Sequence, residues 1–171
     1  MAIQASTTES TLRQEIITLL PRLRRFAYAL SGSPEQADDI VQAACLRALS
    51  RLHQFTPGTR LDSWMFRIVQ TTFVDQGRAR ARRPTASDDE ALGNVADDAR
   101  IHERTEARAA LAIVRDEMAK LPEEQRIVLS LVAIEGLSYQ EAADTLEIPI
   151  GTVMSRLSRA RRRLADAIDP A

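Results

Sequence analysis

Hydroxyl and arginine side chains recur through the segment from Ser138 to Arg163, near the end of the chain. Five arginines fall between Arg156 and Arg163, and Thr152 and Ser155 come within two helical turns before them. Guanidinium groups bind phosphate oxygens and guanine edges, and hydroxyl groups donate to phosphates and bases. These residue types, at helical spacing, indicate a surface that binds nucleic acid.

Two short helices with a turn between them are predicted to position this surface. Ser138 begins the first helix, and Glu141 follows three residues later, which is the spacing of a capping box. A turn is expected over 148–151, and the second helix then carries an apolar stripe opposite the arginines. The stripe consists of Val153, Leu157, Ala160, Leu164 and Ile168. This is a helix-turn-helix pattern, whose second helix fits the DNA major groove. The alternative is a plain two-helix corner with a solvated basic face.

The rest of the chain favours an all-α fold. Alanine and leucine are plentiful among the 171 residues and aromatic residues make up only 4%, which favours helix over sheet. Periodicity predicts helices over about 11–30, 33–52, 59–83, 104–121 and 122–134. Pro21 is expected to kink or break the first of them, and Thr59 and Asp62 to cap the third.

Residues 84–103 have no helical period and are rich in Asp, Ala, Ser and Gly, so they are predicted to form a flexible acidic linker. The chain then divides into two small helical domains, 1–83 and 104–171, joined by 84–103. The second domain ends in the helix-turn-helix.

The formal net charge of −1 conceals a separation of charge along the sequence. Residues 1–83 contain 12 arginines and 7 acidic residues, and four of these arginines lie between Arg78 and Arg83. Residues 84–103 contain one arginine and 6 acidic residues. Clustered positive charge is the electrostatic mark of nucleic-acid binding, so a second DNA-binding surface is predicted at the end of the third helix.

Four motifs occur in order along the chain. They are Gln-Ala-Asp-Asp-Ile-Val-Gln-Ala-Ala-Cys-Leu-Arg-Ala-Leu from Gln36, Leu-Pro-Glu-Glu-Gln-Arg-Ile-Val-Leu from Leu121, Glu-Gly-Leu-Ser-Tyr-Gln-Glu-Ala-Ala from Glu135, and Pro-Ile-Gly-Thr-Val-Met-Ser-Arg-Leu-Ser-Arg-Ala-Arg from Pro149. Together they resemble bacterial RNA polymerase sigma factors of the extracytoplasmic-function (ECF) family, over about residues 11–164. The resemblance implies a protein that binds core RNA polymerase and promoter DNA and is controlled by an anti-sigma factor.

The resemblance also implies roles for three sets of residues. Those that face the polymerase are Asp38, Asp39, Gln42, Leu46, Arg47 and Leu49. Those at the −10 promoter element, where the strands separate and the turn over 55–63 holds a flipped base, are Phe55, Arg60, Ser63, Arg67, Gln70, Thr71, Asp75, Arg78 and Arg82. Those at the −35 element are Thr152, Ser155, Arg156, Arg159 and Arg163.

The sequence departs from the family pattern at both DNA-binding surfaces. Family members often carry Arg-Asn at the positions of Gln70 and Thr71, and Arg or Lys at the position of Met154. We therefore expect a different base preference at each promoter element.

Two other classes of protein compete with this interpretation. A helix-turn-helix repressor or activator would use its N-terminal half for dimerisation or ligand binding, and it would need neither the 37–49 motif nor the basic 75–83 segment. An enzyme would need a nucleophile–base pair, a glycine-rich phosphate loop or a cluster of metal ligands, and the sequence shows none. His53 and His102 stand alone, and Cys45 is expected to be a small packed thiol. No cofactor, metal or small-molecule substrate is predicted.

No apolar run approaches the roughly 20 residues that a membrane-spanning helix needs, and residues 1–10 lack the pattern of a signal peptide. We therefore expect a cytoplasmic protein without membrane insertion.

Overall fold

The computed structural model describes residues 2–82 and 103–168, and they are almost entirely helical. In chain order the elements are α1 (Ala2–Ser31), α2 (Pro34–Ser50), a 3₁₀ turn (Leu52–Gln54), α3 (Leu61–Ala81), α4 (Glu103–Lys120), α5 (Glu123–Leu129), a π-helical turn (Ser130–Ile134), α6 (Tyr139–Leu146) and α7 (Ile150–Ile168). Within these two ranges there is no strand, so the prediction of an all-α fold is confirmed. The predicted linker lies outside the described residues except for Glu103, which begins α4.

The first three helices enclose an apolar core. The buried side chains of α2 are the predicted inward stripe, Ala37, Ile40, Val41, Ala44 and Ala48. From α1, Phe26 meets Phe66 of α3 edge to face, with ring centroids 5.2 Å apart. Fully burying a large apolar side chain stabilises the fold by about 1.5–3 kcal/mol, so these rings fix how α1 crosses α3.

The predictions that the first helix begins near Thr11 and that Pro21 breaks it are wrong, while the alternative of a kink at Pro21 stays a prediction. A single helix runs from Ala2 to Ser31, and Pro21 lies inside it on the exposed side. Proline removes one helical hydrogen bond and costs about 3 kcal/mol in a helix interior. The buried residues on both sides of it, Ile16 and Leu23, pack in the same core, and this packing outweighs the local cost.

The start of α3 also differs from the prediction. Its N-cap is Arg60, without a side-chain hydrogen bond at the cap, so Thr59 is not the capping residue. The Thr59 hydroxyl instead donates to the carbonyl of Thr56 at 2.7 Å. Asp62 lies in the first turn, where its carboxylate accepts from the backbone N–H of Ser63 at 2.8 Å.

The helix-turn-helix is formed by α6 and α7. The predicted capping box is present, because the Ser138 hydroxyl accepts from the Glu141 N–H at 3.2 Å and the Glu141 carboxylate accepts from the Ser138 N–H at 2.7 Å. In α7, Val153, Leu157 and Ala160 are buried. The turn is shorter than predicted. Ile150 already belongs to α7, since the carbonyl of Pro149 accepts the first helical N–H bonds.

A π-helical turn interrupts the regular helix predicted over 122–134. It ends where the N–H of Glu135 donates to the carbonyl of Ser130 at 3.1 Å. Gly136 follows with φ of 74°, in the left-handed region that glycine adopts without strain. The π-turn re-aims the chain immediately before α6, and it places Glu135 against α1.

The two halves of the described chain share one continuous core. Helices α1 and α3 meet α4, α5, the π-turn and α6, so the helix-turn-helix packs on the N-terminal helices. The contact brings the −10 and −35 candidate surfaces of the sequence into one body.

The capping box generates the first prediction. Replacing Ser138 by alanine removes the acceptor for the Glu141 N–H, and the free energy of unfolding should fall by about 1 kcal/mol. Urea denaturation of the whole chain measures this. The matched control is Ser158→Ala, which removes a hydroxyl from the exposed side of α7 and should change the stability by less than about 0.5 kcal/mol. Equal losses in both variants would contradict the role of the cap.

Candidate DNA-binding and polymerase-binding surfaces

The exposed side of α7 is the candidate surface for duplex DNA. Its buried stripe fixes the roll of the helix, so Arg159 and Arg163 lie on the solvent side. Within the described part of the chain, neither arginine makes a hydrogen bond or an ion pair. Two unengaged guanidinium groups one turn apart are suited to phosphate oxygens or a guanine edge.

The other three residues predicted for the −35 element are partly engaged within the protein. The Ser155 hydroxyl donates to the carbonyl of Thr152 at 3.1 Å, and both residues are half-buried. Arg156 pairs with Glu124 of α5 at 2.6 Å, and only 23% of its side chain is exposed. In this structure Arg156 therefore ties α7 to α5.

Two apolar side chains also lie at the exposed start of α7. Ile150 and Met154 are 42% and 52% exposed and lie one helical turn apart. The sequence analysis did not identify Ile150 as an exposed side chain of α7, because it assigned Ile150 to the turn. Its four-residue spacing from Met154, outside the buried stripe, is the signal that identifies it.

The turn between α2 and α3 is the candidate holder of a flipped base. Gly58 has φ of 88°, which only glycine adopts readily. Phe55 is 8% exposed, and its ring centroid lies 5.4 Å from that of Trp64, so Phe55 supports the turn from below. A cavity opens beside the turn. It is lined by Thr11, Leu12, Glu15, Phe55, Pro57, Gly58, Thr59 and Leu61.

Two arginines predicted to contact the −10 strand are paired with acidic residues of α6 and its C-cap. Arg60 pairs with Glu141, and Arg67 pairs with Glu147. Arg60 also donates to Asp62, and this hydrogen bond is the main cause that lowers the pKa of Asp62 below its usual range. The −10 candidate surface thus meets α6, the first helix of the helix-turn-helix, through charged side chains.

The remaining −10 candidates differ in how freely they reach solvent. Arg78 and Arg82 are exposed, while Ser63 and Gln70 are half-buried. The Thr71 hydroxyl donates to the carbonyls of Arg67 and Ile68, each at 3.0 Å, which leaves its methyl group and oxygen lone pairs for contacts. Asp75 is exposed but accepts from Arg47 of α2 at 3.1 Å.

The outer face of α2 is the candidate polymerase surface, and it combines apolar and charged groups. Leu46 is 64% exposed and Leu49 is 41% exposed. Asp39 and Gln42 are exposed beside them, and Asp38 accepts two hydrogen bonds from Arg24, at 2.7 and 2.9 Å. Two large apolar side chains on one exposed helical face, with charges held at fixed positions around them, are typical of a protein-binding surface.

Among the residues that the structure describes, no group of three His, Cys, Asp or Glu side chains has the arrangement of a metal site. Cys45 is half-buried, and burial raises the pKa of its thiol, which disfavours the reactive thiolate. None of the helices in 2–82 and 103–168 is long and apolar enough to cross a membrane.

Two family models match the chain, and they match its two helical halves. The model for Sigma-70 region 2 covers residues 16–83, and the model for Sigma-70, region 4 covers residues 111–164. The first match contains α2 and α3, and the second contains α5, α6 and most of α7.

Individual proteins match over most of their length. The ECF RNA polymerase sigma factor EcfG of Rhodopseudomonas palustris is 37% identical over 155 residues, which are 91% of this chain and 83% of that protein. The RNA polymerase sigma-H factor of Pseudomonas aeruginosa is 33% identical over 80% of this chain and 75% of its own length.

Solved structures agree with these matches. The sigma factor RpoE of Bartonella quintana, determined in complex with the anti-sigma factor NepR, is 33% identical with a TM-score of 0.74, over 91% of this chain and 95% of that one. CnrH in complex with the cytosolic domain of CnrY is 28% identical with a TM-score of 0.71, over 99% and 94% of the two chains.

These matches decide between the competing interpretations. Sigma factors are transcription initiation factors and not enzymes, and both sigma-70 regions are present in the expected order. The presence of region 2 argues against a repressor with a dimerisation or ligand-binding N-terminal half. The chain belongs to the ECF family of RNA polymerase sigma factors.

Proposed function

We propose that this chain binds core RNA polymerase through the outer face of α2, opens the −10 element along α3, and recognises the −35 element with α7. The observation that carries the proposal is the presence of three separate exposed surfaces on a sigma-factor fold: the leucine face of α2, the arginine-bearing end of α3, and the free arginines of α7. A DNA-binding repressor needs only the last of them.

The binding roles of the two halves of the chain follow the two matched family regions. We assign polymerase and −10 binding to residues 1–83 and −35 binding to 104–171, with 84–103 as the linker. Because core polymerase and promoter DNA are in the cytoplasm, we propose that the chain acts there. Run-off transcription tests this directly, with core polymerase from the source bacterium and promoters selected from its genome by the holoenzyme. Tight duplex binding by the chain alone, without any association with polymerase, would refute it.

We also propose that an anti-sigma factor controls the chain. One similar structure is the complex of the sigma factor RpoE with the anti-sigma factor NepR, and another is the complex of CnrH with the cytosolic domain of CnrY. Here the exposed Leu46 and Leu49 on the 38–49 face offer an apolar docking surface. An inhibitor on this face would exclude the polymerase, and one wedged between the two domains would change their arrangement. Affinity purification of the chain from cells under inducing and non-inducing conditions tests this, since recovery of polymerase alone under both conditions would count against it.

The exposed leucines of α2 generate a prediction for polymerase binding. Leu46→Ala should weaken the complex with core polymerase about tenfold or more, because an exposed leucine that becomes buried at an interface contributes about 1.5–3 kcal/mol. Fluorescence anisotropy with labelled chain measures the affinity. The matched control is Leu111→Ala on α4, a leucine of similar exposure, 67% against 64%, which should leave the affinity unchanged. If both substitutions weaken binding equally, the α2 face is not the specific contact.

Arg159 on α7 generates a prediction for the −35 element. Arg159→Ala should weaken holoenzyme binding to the selected promoter by about 1–3 kcal/mol if the guanidinium contacts a base edge. The control is the same promoter with a scrambled −35 element. Base reading by Arg159 predicts a smaller loss on the scrambled DNA, whereas equal losses on both would reduce its role to a phosphate contact.

Met154 generates a separate prediction about base preference. An exposed apolar side chain on a DNA-reading helix is suited to the methyl group of thymine. Replacing the thymine that Met154 contacts by deoxyuridine removes that methyl group. Binding should then weaken about fourfold, because the burial of one carbon contributes about 0.8 kcal/mol. Single replacements across the −35 element locate the position. Met154→Ala should abolish the sensitivity and Arg159→Ala should retain it. Sensitivity that survives in Met154→Ala would assign the methyl contact elsewhere.

A further inference from the structure

The cavity beside the turn between α2 and α3 has one wall that the sequence analysis did not predict. The turn forms one side, and α1 forms the other through Thr11, Leu12 and Glu15. The cavity has a volume of about 360 Å³. Pockets that enclose small ligands have volumes of about 300–1,000 Å³, so this one can hold a single nucleobase.

Apolar side chains form much of the cavity wall. Phe55 and Leu61 are each 8% exposed, and Leu12 of α1 packs against the same core. Apolar and aromatic side chains take the flat faces of a base that has left the stack. Every base has such faces, so these contacts hold a base without choosing which one.

Two polar side chains of the cavity offer hydrogen-bond acceptors. Within the described part of the chain, the Glu15 carboxylate makes no hydrogen bond or ion pair. The Thr59 hydroxyl gives its proton to the carbonyl of Thr56 at 2.7 Å, so its oxygen is left to accept. The choice of base at this cavity therefore depends on which bases can donate.

We propose that Glu15 is a specificity-determining residue for the flipped base of the −10 element. Its carboxylate accepts a hydrogen bond from the exocyclic amino group of adenine, cytosine or guanine. Thymine has no amino group, and its carbonyl oxygens repel the carboxylate. This inference rests on the −10 role proposed above for the turn over 55–63.

The negative charge of Glu15 makes this selection strong. A base that fills the cavity displaces water from the carboxylate, which then needs a new donor. An amino group supplies a charge-assisted hydrogen bond, which is stronger than a bond between neutral groups. Thymine leaves the carboxylate without a donor, so the discrimination comes mainly from the penalty on the wrong base.

The first test measures open-complex formation by the holoenzyme on promoters that carry each of the four bases at each non-template −10 position. At one position the natural chain should favour amino-bearing bases over thymine about tenfold, as expected for a hydrogen bond to a charged group. Glu15→Gln should reduce this preference to about twofold or less at that position alone, because an amide can also donate to a carbonyl oxygen.

The matched control is Glu9→Gln, which removes the same charge from the same helix. Glu9 pairs with Arg13 at 2.6 Å and does not line the cavity, so this variant should keep the preference of the natural chain. Glu9 and Glu15 are both exposed, so neither substitution removes a core contact. A preference that survives in Glu15→Gln, or that both variants lose equally, would overturn the proposal.

The second test removes the amino group from the DNA at that position, with inosine for guanine, purine for adenine or 2-pyrimidinone for cytosine. The natural chain should lose about tenfold in affinity, and Glu15→Ala should show no further loss from the analogue. A natural chain that is insensitive to the analogue refutes amino-group reading.

The outcomes also separate this inference from the proposed function. Open complexes with the same base preference in the natural chain and in Glu15→Gln refute the role of Glu15 and leave −10 binding intact. If the natural chain forms no open complex with core polymerase on any promoter, the proposed function itself is wrong.

Discussion

The clamp of Arg22 and Arg25 on Glu135 is the interaction on which the arrangement of the two domains depends. A carboxylate loses several kcal/mol of hydration when it is buried, and it must recover that loss from close, well-directed donors. Glu135 finds its donors, Arg22 and Arg25, on α1, across the domain boundary. Separation of the domains returns the carboxylate to water and restores its hydration. The clamp therefore fixes the orientation of the domains, while its net contribution to the free energy of their association stays modest.

The clamp is possible because of a local irregularity in the backbone. A regular helix through Ser130–Ile134 would carry the chain on along the α5 axis, but the π-turn and Gly136 redirect it. Glu135 is placed at this corner and reaches α1, while α6 starts three residues after Gly136 with its own capping box. Arg22 then extends the network into the N-terminal half, where it lies over the ring of Phe66 and donates to Asp62. A single change of helical hydrogen bonding thus links the start of the helix-turn-helix to the start of α3.

Sequence reasoning predicted what depends on local periodicity and capping. The stripe of α2, the capping box at Ser138 and the buried face of α7 all follow from side chains within a few residues of each other. Glu135 and its partners are 110 and 113 residues apart, and no local pattern carries that information. For the same reason the sequence did not predict that Arg156 pairs with Glu124, because this pairing depends on how α7 packs on α5. Tertiary packing likewise overrode the helix-breaking tendency of Pro21.

The acidic residues that face α3 already have structural roles within their own domain. Glu141 divides its two carboxylate oxygens, since Oε2 accepts from the Ser138 N–H and Oε1 pairs with Arg60. Glu147 ends α6 in the left-handed conformation, with φ of 53°, and its backbone N–H bonds to the carbonyls of Ala143 and Asp144. Local bonds therefore hold the Glu141 carboxylate and the backbone of Glu147 in place whether or not the N-terminal domain is present. Because the cap and the end of α6 are formed within α6 itself, they do not depend on the pairs to Arg60 and Arg67.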